Sequence, residues 1–552
     1  MSDTEYDVIV AGYGPVGETC ANLLGYYGIK ALILDKEKET FPLPRAITWD
    51  AECQRAMAHC NFLTEVKTRK IRGVDNKDAK KRSILKITMD GFDTYNYQHS
   101  ILFIHQPQFD QVHRENAKKY QTNTIRTGNE ILSVDQSDGV VNCSYKNIET
   151  GEEFKTNSKY LLACDGANST IRKLNNIELK SLDADETWMV VDGYTKSKFE
   201  CFTDIDAIQY CNPSRPTTII QGVDDCFRFE IAFMPGDTVD EIQKEEVFRK
   251  YIDQWIGDNE VEFSRTAVYS FHAADAVKWQ NENIFLLGDA AHQMPPFMGQ
   301  GMNSGCRDAE NILWKINGVL KGLYSPKILD TYQSERRPHV ARITRGAIKM
   351  GGVINAKSKF KAFIRNALLR TQSYLRGKEN IFPVLNGNRL GPGAHKMPKI
   401  KNVSIERYYF NEINVRLHDG RIMSTDYVLE KNFGIILNNF EGNKNISEDN
   451  LELLKSHNFK IINVTRNYDH SNYEGYIACE ETHEDLDGIE STLKEHGVDV
   501  VRLPAGTTSV DTLHSKGSEK AIARDKFIKG AKELNGVPES VSSKLWAEIE
   551  FF

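Results

Sequence analysis

The segment Gly12-Tyr13-Gly14-Pro15-Val16-Gly17 constrains this chain more than any other. It follows a short β-rich apolar run, Tyr6 to Ala11, and opens a stretch of helical periodicity, Val16 to Tyr26. Gly28 suits a helix C-cap, and Ala31 to Leu34 reads as a second buried strand ending at Asp35. The result is a βαβ unit and hence a parallel sheet. In a GxGxxG turn so placed, Gly12 permits the tight bend. Gly14 lets the backbone approach a pyrophosphate, and Gly17 lets helix and strand pack closely. The pyrophosphate sits at the positive helix N-terminus, beside Pro15 and Val16. Asp35, about 20 residues on, stands where a carboxylate holds ribose hydroxyls, with Lys36 next to it. The motif alone leaves NAD and FAD open.

Two later segments decide between them. Cys164-Asp165-Gly166-Ala167-Asn168-Ser169-Thr170-Ile171-Arg172 follows the buried strand Tyr160 to Cys164. Leu287-Gly288-Asp289-Ala290-Ala291-His292-Gln293-Met294-Pro295-Pro296 follows Ile284 to Leu287, and leads through Gly299-Gln300-Gly301-Met302-Asn303 into a helix. With these three motifs in this order, the sequence resembles the single-component FAD-dependent aromatic hydroxylases, the group A flavoprotein monooxygenases. Within that family it resembles the hydroxyphenylpropionate hydroxylases. The resemblance runs from about residue 5 to 350 and continues more faintly to the end.

The resemblance implies an α/β fold: a Rossmann-like FAD-binding domain, an inserted antiparallel-sheet substrate domain and a C-terminal thioredoxin-like α/β domain. The expected FAD-binding segments are 1–75, 105–180 and 281–385, the last with helices. Substrate-domain strands are expected at 76–104 and 181–280, and the thioredoxin-like domain at 395–552. Alternation and β-branched residues over Ile84 to Phe103 and Thr187 to Pro235 support the sheet, with a turn at Lys77 to Ser83. Asn303 to Leu320 and Ser325 to Met350 read as helices, and Phe382 to Pro398 as a linker. Tyr427 to Asn438, Leu451 to Val464, Gly475 to Cys479, Leu486 to Val501 and Ala521 to Leu534 suggest a smaller α/β unit. Cys479 stands without a partner cysteine there. A redox pair is therefore excluded, and packing and a dimer contact are the roles left for the tail, with a homodimer as the partner state. The segment Val501-Arg502-Leu503-Pro504 also lacks the aspartate usual in the family.

The implied cofactors are bound FAD and a transiently visiting NAD(P)H. The absence of a second GxGxxG fits such a visit. Substrate and O₂ are the implied reactants, and the ring is hydroxylated through a flavin C4a-hydroperoxide. Asp289, at a strand end, suits a ribityl hydroxyl. The glycine-rich stretch from Gly299 through Gly301 and Met302 to Asn303 offers N–H groups to the flavin. Asp165, Gly166 and Gly288 accompany these motifs. Arg45 and Ala46 match a loop that contacts the pyrophosphate or the incoming nicotinamide. Gln106 matches a flavin-contacting position, and Ile131 lies on a strand able to present backbone to the adenine.

Three residues are candidates for the chemistry itself. Asp50 stands level between two readings: a base for the phenolic proton, since phenols titrate near pH 10, and a helix N-cap. Arg228, in Phe227-Arg228-Phe229-Glu230, could meet an anionic substrate or form a structural ion pair. Pro296 could direct a backbone carbonyl at the substrate. His292 reads as structural. Two rivals stay open: a natural-product tailoring monooxygenase (epoxidation or Baeyer–Villiger insertion), and a flavin-loaded aromatic-ligand binder without catalysis.

Composition narrows the classes further. The 552 residues carry a net charge of −7, against a nucleic-acid surface. No apolar run approaches the roughly 18 residues of a membrane span. The acidic N-terminus lacks a signal peptide's basic region, so a cytoplasmic protein is expected. Ten scattered cysteines include no CxxC pair, which fits reduced thiols and disfavours a zinc ribbon.

Overall fold

The computed structural model describes residues 4–376 apart from 41–44, 59, 61, 89–100, 323 and 357, together with seven strands between 414 and 514. The strand Tyr6–Ala11 lies between Ala31–Asp35 and Glu153–Ala163, parallel to both. Ile284–Leu286 extends the sheet past Glu153–Ala163, and Asn123–Thr127 extends it past Ala31–Asp35. Val8, Ile9, Val10, Leu161 and Leu162 are fully buried. A parallel sheet covered on both faces demands such continuous apolar runs. The helix Pro15–Tyr27 begins with proline at its first position, where no N–H is needed, and ends at Gly28 with φ 72°. It packs against the helix Gly301–Leu320, which carries the third motif.

A second sheet has seven strands in the order Glu262–Phe271, Glu186–Tyr194, Cys226–Ala232, Thr217–Gln221, Ala207–Tyr210, Gly73–Lys77, Ser83–Thr88. Neighbours are antiparallel except Ala207–Tyr210 with Gly73–Lys77, which run parallel. Two placements differ from the sequence expectation. Gly73–Lys77 is a strand although it reads as polar, because its buried polar groups are satisfied inside the sheet. Ser83 Oγ donates to Asp75 at 2.7 Å and Asn76 Nδ2 to the Leu85 carbonyl at 3.1 Å. The run Ile101–Ile104 leaves this sheet and pairs with Thr48–Asp50 and Thr68–Lys70 in a separate three-stranded one. Its apolar residues thereby cover the segment that leads into the helix Ala51–Ala58.

The helices Gly301–Leu320 and Thr331–Ile354 stand where periodicity puts them, the second preceded by a 3-10 stretch, Pro326–Asp330. Further on, Phe433–Asn438, Phe459–Val464 and Tyr476–Ala478 are parallel neighbours, and Val498–Arg502 and Val510–His514 form an antiparallel pair on the other side of Phe433–Asn438. Asn414–Arg416 and Ile422–Ser424 complete this seven-stranded sheet. The expected linker near Phe382 to Pro398 and the stretch Ala521 to Leu534 lie outside the described residues. Among the described residues, no helix is long and apolar enough to cross a membrane.

The phosphate turn sets a stringent packing condition. A Cβ on Gly17 would overlap the Gly12 carbonyl oxygen. Gly17→Ala must push the helix off the turn, at a cost of about 1–3 kcal/mol for such overpacking. Thermal unfolding should show a lowered Tm, and an unchanged one would refute this close approach.

Candidate active site

A cavity of about 520 Å³ extends from the phosphate turn to the face of the seven-stranded sheet. At its first end, Gly12 adopts φ +96°, and a Cβ there would stand 2.5 Å from the Cys164 carbonyl oxygen. Gly14 differs: a Cβ on it would meet nothing within 4 Å. That open cradle lies at the start of a helix with no side-chain cap, and Gly14, Pro15 and Val16 all line the cavity. Asp35 holds the turn in shape. Its two oxygens accept the Tyr13 N–H at 2.6 Å and the Glu37 N–H at 2.8 Å. Lys36 lies at the surface, 3.9 Å from Glu37. Ile131 pairs with Tyr145 in a hairpin and packs on the core, outside the cavity lining.

The Arg45 loop forms one wall. The Arg45 and Ala46 N–H groups both donate to Gln106 Oε1 at 2.7 Å. Gln106 therefore lines the cavity, and its carbonyl positions this loop.

The second and third motifs meet at the opposite wall. Gly288, at φ +56°, donates its N–H to Asp308 at 3.1 Å. Asp289 turns into the cavity, so its side chain is accessible there although protein encloses it on the other sides. Burial raises its carboxyl above the ordinary range, while His292 and Arg45 pull it back. Such a group gains from a hydroxyl donor. Gly166, at φ +76°, lines the cavity, whereas Asp165 does not. Asp165 instead accepts the Ile171 N–H at 3.0 Å at the start of the short helix Thr170–Leu174. Arg172 ties the two motifs together through the Ala290 and Ala167 carbonyls, each at 3.1 Å. His292 is structural, as expected: it is buried, 2.7 Å from Asp308, and stacked on Trp279.

At the helix entry, Gly301 and Met302 line the cavity, and the helix start again has no side-chain cap. The Asn303 side chain ties the neighbouring loops together. Nδ2 donates to the carbonyls of Gly299 at 2.8 Å and Thr48 at 3.2 Å, and Oδ1 accepts the Asp50 N–H at 3.1 Å. Gly299 is left-handed, φ +62°, and its carbonyl also takes the Thr48 hydroxyl at 3.0 Å. Pro296 lines the cavity with its carbonyl accepting the Gly299 N–H at 2.8 Å.

Asp50 is buried and does not line the cavity. One oxygen accepts the Cys53 N–H at 3.1 Å, the cap geometry, and the other pairs with Arg307. Arg307 also pairs with Glu52 and reaches Gln300 Oε1 at 2.9 Å. Arg228 lines the cavity, gripped by Asp192 at 2.7 and 3.1 Å and donating to the Arg45 carbonyl at 3.0 Å. Sequence reasoning missed Arg307, Asp308 and Arg336. The available signal was the charged Arg307-Asp308 pair inside a helix whose later positions, Ile312, Leu313 and Ile316, are apolar.

The open Gly14 cradle, the two uncapped helix starts and the cavity-facing Asp289 fit a dinucleotide with a hydroxylated chain. Asp289→Ala removes one charge-assisted hydrogen bond, about 1.5–3 kcal/mol. Titration of the protein with FAD should show an affinity lowered by about tenfold or more, and an unchanged affinity would refute the contact.

Comparison with known proteins agrees with this geometry. The family model described as FAD binding domain matches residues 5–347. A probable NADH-specific resorcinol 4-hydroxylase of Rhodococcus jostii is 29% identical over 74% of this chain and 77% of its own length. A 3-(3-hydroxy-phenyl)propionate/3-hydroxycinnamic acid hydroxylase of Comamonas testosteroni is 30% identical over 67% of this chain and 62% of its own length. The flavin-dependent monooxygenase PieE, solved with FAD and substrate, superposes with TM-score 0.78 at 16% identity, covering 99% of this chain and all of that one. At that identity the match carries the fold alone. The chain thus belongs to the FAD binding domain family, and its likeness to the single-component FAD-dependent aromatic hydroxylases, read from three motifs, holds.

Proposed function

We propose that this protein hydroxylates a small phenolic or other aromatic substrate with NAD(P)H and O₂. The observation that carries this reading is the continuity of the cavity: the cradle suited to FAD opens onto a sheet face that combines apolar and polar side chains. Bound FAD supplies hydride acceptance from NAD(P)H and activation of oxygen. The chain's own residues do the rest. The turn Gly12 to Gly17 and Asp289 bind the cofactor, with Asp35 and Gln106 shaping the loops around it. Ile220, Phe103 and Ile87 shield the ring site from water, while Arg228, neutralised by Asp192, braces the Arg45 loop.

The seven-stranded sheet that includes Cys226–Ala232 serves, in this reading, as the inserted substrate domain. The parallel strands near 433–478 with their antiparallel edge pair support a thioredoxin-like C-terminal domain. Asp50, capped onto the Ala51–Ala58 helix and held by Arg307, acts as a positioning residue.

The test is product mass measured alongside NAD(P)H consumption over a panel of phenols. One substrate should gain a single oxygen in proportion to NAD(P)H used. Ligand binding without oxygen insertion would favour a flavin-loaded binder. Asparagine caps about as well as aspartate, so Asp50→Asn should keep product yield per NAD(P)H near that of the parent protein. A rate loss of about 10²–10⁴ with intact FAD content would instead assign Asp50 the proton-accepting role.

A further inference from the structure

The register of the seven-stranded sheet aligns two rows of side chains on the face that floors the cavity. One row crosses the strands as Glu230, Thr218, Gln209 and Asn76, each directly opposite the next. The neighbouring row, two residues along each strand, reads Arg228, Ile220, Ala207, Val74 and Ile87. All nine residues line the cavity. One row is polar, and the other is apolar beyond Arg228.

The polar row offers both acceptors and donors. Thr218 donates its hydroxyl to Gln209 Oε1 at 2.7 Å, which leaves the threonine oxygen to accept and the Gln209 amide to donate. Asn76 gives an N–H to the Leu85 carbonyl at 3.1 Å and retains an amide oxygen. Glu230 adds a carboxyl. The positive charge nearby is already matched: Arg228 is bidentate on Asp192 and stands 3.9 Å from Glu230, and Asp192 also meets Arg265 at 3.4 Å. Among the described residues, the charged groups lining the cavity are Arg45 and Asp289 at the cofactor end and Arg228 and Glu230 on the sheet. Two carboxylates, Asp192 and Glu230, face the two guanidiniums Arg228 and Arg265, so a substrate carboxylate on the sheet would compete with Glu230 for Arg228. With strands about 4.8 Å apart, the polar row spans about 14 Å, so it can meet hydroxyls well separated on one molecule.

We infer that the Glu230–Thr218–Gln209–Asn76 row is a specificity site for an uncharged, hydroxyl-bearing aromatic substrate, and that it selects against a carboxylated one. The inference rests on the proposed hydroxylase reading and specifies its substrate class. The hydroxyl groups both donate to and accept from this row while the ring lies over Ile220, Ala207 and Val74.

A matched pair of probes tests it: 3-(3-hydroxyphenyl)propanol and 3-(3-hydroxyphenyl)propionate, which share a ring and differ in an alcohol against a carboxylate tail. Binding to the FAD-loaded protein is read from the perturbation of flavin absorbance, and turnover separately from NAD(P)H-dependent oxygen insertion. The alcohol should bind about tenfold or more tightly than the acid, the scale of one unmatched polar contact. Glu230→Gln should narrow that ratio by strengthening binding of the acid. Thr218→Val, a second variant that leaves the carboxyl in place, should weaken the alcohol without improving the acid. Preferred binding of the acid by the parent protein would overturn the inference, as would a ratio unmoved in both variants. If the ratio behaves as stated but no product forms, the row's selectivity stands and the hydroxylase reading falls.

Discussion

The Asp308 carboxylate, fully buried, ties its own helix to the Gly288–His292 turn and to the helix Thr331–Ile354. It accepts the Gly288 N–H at 3.1 Å and meets His292 at 2.7 Å and Arg336 Nε at 2.8 Å. Burial works against its charge, but His292 and Arg336 outweigh that effect and hold its carboxyl below the ordinary range. Asp289, one residue past Gly288, is thereby aimed at the cavity. Removing Asp308 would take from the buried Arg336 guanidinium its carboxylate, the costly way to break such a network. The position of this cavity-lining carboxylate is thus set by charge on the helix Gly301–Leu320.

The same helix controls the opposite wall. Asn303 ties Gly299, Thr48 and Asp50 together by backbone contacts, and Arg307 clamps Asp50 and Glu52. A glycine is needed where the helix passes the first one: a Cβ on Gly305 would overlap Val16, and Gly288 packs against the same side chain. The phosphate turn, the Asp289 turn and the Arg45 loop are therefore referenced to one rigid element. Precise geometry at a flavin site requires this kind of support, because reacting groups must be held within fractions of an ångström.

The cofactor half of this arrangement was legible in the sequence because backbone geometry demands particular residues. Gly12 and Gly288 occupy positive φ, and Gly17 lacks room for any side chain, so the pattern is visible as glycines at fixed spacing. Roles that depend on side chains meeting across the fold were harder to read. Gln106, which lines the cavity, and Asn303 position the loops through side-chain contacts across the fold, and Asp50 sits in its cap with Arg307, 257 positions away along the chain. The strand Gly73–Lys77 straddles the expected boundary at residue 75, because its buried Asp75 and Asn76 draw partners from the next strand as well as from Lys77. Local alternation cannot report a polar residue whose burial is compensated from elsewhere.

The two ends of the cavity also obey different chemistry. The cofactor end uses backbone N–H groups, a glycine cradle and one exposed carboxylate, features that a change of residue type would destroy. The sheet end uses side chains on a regular strand register, where a substitution alters hydrogen bonding without altering the path of the chain. Cofactor binding is therefore coupled to the fold, whereas substrate choice is set by which side chains occupy two adjacent rows. A shared cofactor site can then accompany divergent substrate classes, because replacing Glu230 or Gln209 changes what the floor of the cavity accepts and leaves the Asp308 and Asn303 tethers in place.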